Sequence, residues 1–167
     1  MSMTEVEVGT VPANPLDTLE DVLTANEWPF DRAAEDQLVV ETSGRWCCYR
    51  MFFVWRVDLN ALYFSCAFDT KVSSIKRSEM NDLLALANEN LWFGHFEICS
   101  SDDAPMFRYT ILTRGMRGLA VEQLEDLMDI AVGECDRFFP AFQFVLWGGR
   151  SAQDALNSAM LDTVGEA

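Results

Sequence analysis

The chain has 167 residues, half of them hydrophobic and 23% charged, a globular composition that excludes an intrinsically disordered protein. Asp and Glu number 27 against 12 Lys and Arg, which gives a formal net charge of −15. This charge disfavours nucleic acid and anionic membrane surfaces as partners, because both are bound by clustered Lys and Arg. The length predicts one domain with an adequate hydrophobic core.

The N-terminal residues Met1–Glu7 lack the basic and apolar regions of a secretory signal, so we expect a cytoplasmic protein. The longest strongly apolar stretch, Phe138–Trp147, is about half as long as a membrane-spanning helix. The five cysteines are an odd number and lie mostly in apolar runs, which predicts free thiols.

The first third of the chain carries clear signals for where its helix and strand begin and end. Residues 1–13 predict a flexible acidic leader without periodicity. Asn14 as N-cap and Pro15 at the first helical position predict a helix that ends before Trp28-Pro29-Phe30. A turn-rich stretch follows, and Gln37–Thr42 predicts a short strand.

From Arg45 to Val57 the side chains alternate as in a strand, which predicts two faces of different character. The face predicted to lie in the core carries Cys47, Tyr49, Met51, Phe53, Trp55 and Val57. The other face carries Trp46, Cys48, Arg50, Phe52, Val54 and Arg56. Antiparallel sheets commonly bury one face and leave the other wet, so this second face is either covered by a helix or exposed for binding.

The remaining elements follow from the same signals. A strand is predicted over Ala61–Phe68, followed by a helix that is capped by Ser78 and runs to about Trp92. Two more strands follow, over Phe93–Cys99 and around Phe107–Ile111. A long helix from about Leu124 to Val145 is expected to kink or restart near Phe138 because of Pro140, and a short helix runs from Ser151 to about Met160.

The predicted order is therefore α-β-β-β-α-β-β-α plus a short C-terminal helix. Strands grouped in hairpins indicate a single α+β domain with a five-stranded antiparallel sheet, and disfavour a doubly wound parallel sheet. We expect the domain to span residues 14–147, with a C-terminal extension over residues 148–167.

Three short motifs give the chain a family resemblance. They are Ala87-Asn88-Glu89-Asn90, Gly94-His95-Phe96-Glu97-Ile98 and Phe138-Phe139-Pro140-Ala141-Phe142. With the element order, they resemble the bacterial YbjN family from residue 14 to about residue 147. Members are described as candidate sensory-transduction regulators, and their fold is similar to that of type III secretion chaperones, which are small acidic dimers that hold partner segments. The resemblance implies no catalytic residue, metal or cofactor.

His95 is the only histidine, so a metal site with two histidines cannot form, and a site at His95 would need cysteine or carboxylate ligands beside it. His95, Glu97 and Cys99 fall on one face of a predicted strand and could present three ligands in a row. Zinc sites normally use tight turns such as C-x₂-C, which the chain lacks. A polar strand face is therefore the favoured interpretation.

Two surfaces are predicted to bind a protein partner or to form a homodimer. The first is the second face of the Arg45–Val57 strand, which combines aromatic residues with arginine, as interface hot spots do. The second is the apolar side of the helix that begins at Ser78. The candidate residues are Trp46, Arg50, Phe52, Val54 and Arg56 on the strand, and Leu83, Leu84, Leu91 and Trp92 on the helix.

The leading hypothesis is a non-enzymatic cytoplasmic regulator or chaperone-like adaptor that acts through protein contacts. An alternative is a small-ligand-binding protein or enzyme, with a pocket between sheet and helices that uses His95, Glu97 and nearby arginines. A third possibility is a type III secretion chaperone dedicated to one cargo.

Overall fold

The computed structural model describes residues 12–164, in which four helices and six strands form one sheet with a helical layer. The elements are α1 (Pro15–Ala25), β1 (Phe30–Ala34), β2 (Gln37–Ser43), β3 (Cys48–Arg56), β4 (Ala61–Phe68), α2 (Arg77–Asn88), β5 (His95–Ile98), β6 (Pro105–Leu112), α3 (Val121–Leu146) and α4 (Ala152–Val164). Residues 1–11 of the predicted leader lie outside this description.

The sheet has the strand order β1-β2-β3-β4-β6-β5, and every neighbouring pair is antiparallel. The α+β prediction with strands grouped in hairpins is confirmed. The predicted strand number of five is wrong, because the stretch before Gln37 forms an additional edge strand, β1.

The segment that forms β1 has too little apolar character to be recognised from sequence. Its strand structure comes from pairing with β2, where Phe30 lies opposite Val40. Arg32 adds a tertiary tie, since its guanidinium bonds to Asp17 and Glu20 of α1, each at 3.1 Å. Contacts with distant parts of the chain therefore stabilise β1 as a strand, and these contacts cannot be recognised from the local sequence.

The helix starts were predicted with mixed success. The N-cap of α1 is confirmed, because Asn14 Oδ1 accepts a hydrogen bond from the Leu16 backbone N–H at 3.0 Å. The predicted cap of α2 is wrong: Ser78 lies inside the helix, and the N-cap position is Lys76, without a side-chain cap bond. α2 also ends at Asn88, earlier than predicted.

Aromatic rings fill the space between the sheet and the helices. Phe96 of β5 lies at the centre of this cluster, with its ring centroid 5.4 Å from Phe138 and 5.3 Å from Phe142 of α3. Phe107 and Phe68, from β6 and β4, lie 5.8 and 6.2 Å from it. The contacts of Phe96 with Phe107, Phe138 and Phe142 are edge-to-face, an arrangement that adds to the free energy gained from burial.

Two of the motif residues connect α2 to β5. The Asn88 side chain donates to the Phe96 carbonyl at 3.1 Å and accepts from the Phe96 N–H at 2.7 Å. Gly94, just before β5, has φ of +62°, and a Cβ there would lie 2.4 Å from the Phe107 ring. Residues other than glycine are therefore excluded at position 94, where the chain turns from α2 into β5.

α3 runs from Val121 to Leu146 through Pro140 as one helix, so the restart expected near Phe138 does not occur. Proline lacks the N–H that would bond to the carbonyl four residues earlier, which is that of Asp136. The Trp46 indole N–H donates to this carbonyl at 3.1 Å. A side chain from the turn before β3 thus satisfies the acceptor that Pro140 leaves free.

The Asp136 carboxylate also joins that turn to α3. It accepts hydrogen bonds from the Arg45 backbone N–H at 2.9 Å and from the buried Tyr49 hydroxyl at 2.6 Å. A Cβ on Gly44 would lie 2.1 Å from the Tyr49 ring and 2.6 Å from Asp136 Oδ1, so glycine is required for this close approach. The junction fixes the start of β3 against the helical layer.

Candidate binding surface

The two faces of the central strand β3 differ sharply. Its core face carries the buried side chains of Tyr49, Met51, Phe53 and Trp55, as predicted, and these belong to the hydrophobic core that the helices cover. Val57, which was also predicted for the core face, follows the strand and is exposed. On the other face Arg50 and Arg56 are exposed and Phe52 and Val54 are half-buried. Within residues 12–164 no helix covers this second face.

Four strands contribute to this surface, which we call the open face. We define it as the outward side chains Val39, Glu41, Arg50, Phe52, Val54, Arg56, Tyr63, Ser65, Ala67 and Arg108. Ser65 faces the same side but is itself buried. The antiparallel register aligns Val39, Phe52, Ser65 and Arg108 in one row across β2, β3, β4 and β6. The open face therefore has an apolar centre with charged groups distributed around it.

Phe52 stands between two adjoining depressions of this surface. One, of about 630 Å³, lies between Phe52, Ala67 and the loop at residues 69–71. The other, of about 420 Å³, lies between Phe52, Val39 and the Pro29–Asp31 segment. Both have room for apolar side chains of a bound segment, on either side of an aromatic ring.

Arginine side chains border the apolar centre and are held in place by local partners. Arg50 donates to the Glu41 carboxylate from Nη2 at 2.8 Å and from Nε at 3.1 Å. The Arg108 guanidinium lies over the Tyr63 ring, 4.9 Å from its centroid. An exposed ion pair such as Arg50–Glu41 contributes little to stability.

A second pair lies at the end of β3. Arg56 donates to both oxygens of the Asp58 carboxylate, at 2.9 and 2.8 Å. The hydrogen bond between them raises the pKa of Arg56 and lowers the pKa of Asp58. Both groups are therefore charged at neutral pH, and the two hydrogen bonds hold the Arg56 guanidinium in position at this corner of the open face.

The structure separates the predicted surface residues into different environments. Trp46 precedes β3 and turns towards α3, away from the open face. Leu83 and Leu84 are buried in the core, so α2 offers no free apolar side there. Leu91 and Trp92 follow α2 in a loop, where Trp92 is 94% exposed. Arg50, Phe52, Val54 and Arg56 share the open face.

His95 and Glu97 lie on the edge strand β5, on the same side of the sheet as Arg108. The His95 Nε2 is 3.1 Å from Glu97 Oε2, and Arg108 Nη1 is 3.4 Å from the same carboxylate. Cys99 lies beyond the strand, with its sulfur 3.0 Å from the Ser101 hydroxyl. Among the side chains of the described chain, no group of three or more His, Cys, Asp or Glu residues could hold a metal ion.

The contributions of β2, β4 and β6 to the open face were not predicted from the sequence. The alternation over Ala61–Phe68 already places Tyr63, Ser65 and Ala67 on one side of that strand. What the sequence lacks is the register, which sets Tyr63 opposite Val54 and Arg108 opposite Ser65. Once the register is known, the aromatic and arginine residues of β3, β4 and β6 are seen to lie side by side on one surface.

The fold and its uncovered face define the class: a single-sheet α+β domain with one face covered by helices and one left open. The sequence matches the model of the YbjN family, described as "Putative bacterial sensory transduction regulator", over residues 15–144. The chain belongs to this family, as its motifs predicted. The search of curated proteins gave no match.

The fold is also similar to a solved structure, the crystal structure of YbjN from E. coli, described as a putative transcription regulator. The TM-score is 0.54 at 15% sequence identity, and the match covers 76% of this chain and 88% of that chain. The likeness supports the general fold. Separately, a membrane-crossing helix is not found in the part of the chain described here.

Proposed function

We propose that this protein is a non-enzymatic, cytoplasmic regulator or chaperone-like adaptor that holds a protein partner on the open face of its sheet. The observation that carries the proposal is an apolar centre around Phe52 that the described helices leave uncovered and that arginines border. Aromatic residues and arginine are enriched at interface hot spots, and charged rims set specificity. Membership of a family described as regulators supports the same reading.

The ligand-binding or enzymatic alternative receives less support. It requires a pocket between sheet and helices, where Phe68, Phe96, Phe107 and Phe142 pack against one another. His95 and Glu97 lie at an exposed sheet edge on the opposite side and bond to each other. We therefore favour contact with a protein over catalysis.

Affinity purification of the tagged full chain from its native cytoplasm tests the proposal, with light scattering to give the mass of the product. We expect one stoichiometric protein partner, or a homodimer with twice the chain mass of 18.9 kDa. A dedicated secretion chaperone would instead return a single secreted cargo. A monomer that returns alone would contradict the proposal.

Two matched variants show whether the open face is responsible. Phe52→Glu places a charge at its apolar centre, and we expect the partner to be lost. Ile130→Glu makes the same change in polarity on the outer side of α3, where Ile130 is 36% exposed, and we expect the partner to be retained. Retention by both variants would show that the partner binds elsewhere.

A further inference from the structure

Exposed apolar side chains lie at one end of the sheet, where β3 turns into β4 and where β6 leads into α3. They are Val57, Leu59, Leu112 and Met116, and Leu112 is 69% exposed. The two connections adjoin, because the Thr113 N–H and hydroxyl both donate to the Asn60 carbonyl, at 2.7 and 3.0 Å. Exposed apolar residues that lie together in this way are typical of a binding surface.

Two arginines of the β6–α3 connection accompany these apolar residues. Arg114 and Arg117 are exposed, and neither side chain has an acidic partner among residues 12–164. Arg50 and Arg56, by contrast, each bond to a carboxylate of the same sheet region. We call the four apolar residues, together with Arg114 and Arg117, the loop end. Its two guanidinium groups are available to the carboxylates of a ligand.

The N-terminal part of the chain reaches the domain beside the loop end. Asn14 Nδ2 donates to the Glu35 carbonyl at 3.0 Å, at the β1–β2 turn. A Cβ built on Gly118 would lie 3.8 Å from the Cβ of Ala13, which places Ala13 next to the connection that carries both arginines. An extended chain covers about 3.3 Å per residue, so the eight residues at 4–11 can span about 26 Å. Neighbouring strands are about 4.8 Å apart, so this length is enough to cross the ends of β6, β4 and β3.

The sequence of residues 4–11 complements this surface. It is Thr-Glu-Val-Glu-Val-Gly-Thr-Val, with two glutamates, three valines and no basic residue. In an extended chain Val6 and Val8 point to the same side, where they can lie on apolar side chains. Glu5 and Glu7 flank them, within reach of long arginine side chains on the same surface.

We propose that the loop end binds the chain's own N-terminal segment, residues 4–11, in extended form, with its valines on the apolar residues and its glutamates at Arg114 and Arg117. Tethering gives such a segment a local concentration in about the millimolar range, so contacts too weak to hold a free peptide are sufficient. A second copy of the chain is disfavoured as the occupant, because each copy carries a net charge of −15. The loop end shares no residue with the open face, so this binding does not depend on the proposed function.

Photo-crosslinking within the full chain tests the proposal. A photoreactive residue replaces Val8, and mass spectrometry of the digested product locates the crosslink. We expect intrachain adducts with residues 57–59 or 112–117. The double variant Arg114→Glu/Arg117→Glu should lower their yield at least about fivefold, because it replaces attraction to Glu5 and Glu7 by repulsion.

Three further variants control for indirect effects. Lys71→Glu/Lys76→Glu makes the same change in charge after β4, at the opposite end of the sheet, and should leave the yield unchanged. Glu5→Arg/Glu7→Arg changes no residue of the described domain and should lower the yield by itself. Combined with Arg114→Glu/Arg117→Glu, it should restore the crosslink, which damage to the loop would not allow.

Several results would overturn the proposal. They are adducts on the open face or spread over the domain, adducts only between two chains, a yield that the charge reversal at Arg114 and Arg117 leaves unchanged, and a yield that the combined variant does not restore. Phe52→Glu should keep the crosslink, so failure of the open-face proposal remains distinguishable from failure of this one.

Discussion

The two faces of the β-sheet are built from the same strands but differ in burial. Toward the helices, Met51 and Phe53 are fully buried and Phe96 contacts several other rings. Away from the helices, Phe52 and Val54 remain half-buried beside exposed arginines. Because neighbouring residues of one strand point to opposite faces, β3 supplies the core and the candidate binding surface at once. Stability therefore depends mainly on the covered face, and we propose that recognition depends on the open face.

The covered face should show the largest effect on stability. Phe96→Ala removes the ring at the centre of the aromatic cluster, and we expect a loss of about 3–5 kcal/mol from the free energy of unfolding. Urea denaturation followed by circular dichroism measures this. Phe93→Ala, at a ring that is 53% exposed, serves as the control and should cost below about 1 kcal/mol. Similar losses for both variants would contradict the division between faces.

Substitutions at the junction between β3 and α3 should have the next largest effect on stability. Asp136→Ala leaves the buried Tyr49 hydroxyl and the Arg45 N–H without their acceptor, and we expect a loss of about 2–3 kcal/mol. Asp129→Ala removes an exposed carboxylate from the same helix and should change stability by less than about 0.5 kcal/mol. If the two variants unfold at the same denaturant concentration, the Asp136 contacts do not stabilise the junction.

The same junction predicts a dependence of stability on pH. Burial, with the hydrogen bond to Asp136, raises the pKa of Tyr49 above its ordinary value. A group whose pKa is higher in the folded state contributes stability that is present below its unfolded pKa and lost as pH rises. Above about pH 10 we expect Tyr49 to cost about 1.4 kcal/mol per pH unit.

Denaturation curves measured between pH 7 and pH 11 test this dependence. Tyr49→Phe should lower the alkaline slope. Part of the slope should remain in that variant, because burial also raises the pKa of Cys47 and the pKa of Cys135, and thiols begin to ionise near pH 8.5. An unchanged slope in Tyr49→Phe would show that Tyr49 ionisation does not limit stability.

The open face should show the smallest effect on stability and the largest on binding. Phe52→Glu replaces a half-buried ring at a position where water has access, so we expect a loss of about 1 kcal/mol or less. Urea denaturation gives this value, and affinity purification gives the partner recovery. A stability loss as large as that of Phe96→Ala would mean that the open face belongs to the core.

Local signals predicted the elements whose structure is local. The Asn14-Pro15 start of α1 and the alternation of β3 and β4 are in the structure. β1 was missed because its pairing with β2 and the bonds of Arg32 to α1 are tertiary. Pro140 was expected to kink or restart α3; the helix continues through it, and the indole N–H of the distant Trp46 bonds to the carbonyl that Pro140 leaves free.

The residues that form the open face were predicted from the sequence only in part. The alternation of β3 identified Arg50, Phe52, Val54 and Arg56 correctly as one side of a strand. It could not tell whether a helix covers that side, since coverage depends on where the helical layer packs. Leu83 and Leu84 of α2 were predicted as surface residues, yet they are buried, in a helix against which α4 packs. Helical periodicity shows which side of a helix is apolar, but not what packs against it.

Site-specific photo-crosslinking in native cells tests the central claim most directly. A photoreactive residue replaces either Val54, in the apolar centre of the open face, or Ile130, on the outer side of the helical layer. We expect a discrete crosslinked protein at position 54 that is absent at position 130 and lost when Phe52→Glu is added. The same adduct at both positions, or at position 130 alone, would contradict the open face as the binding surface.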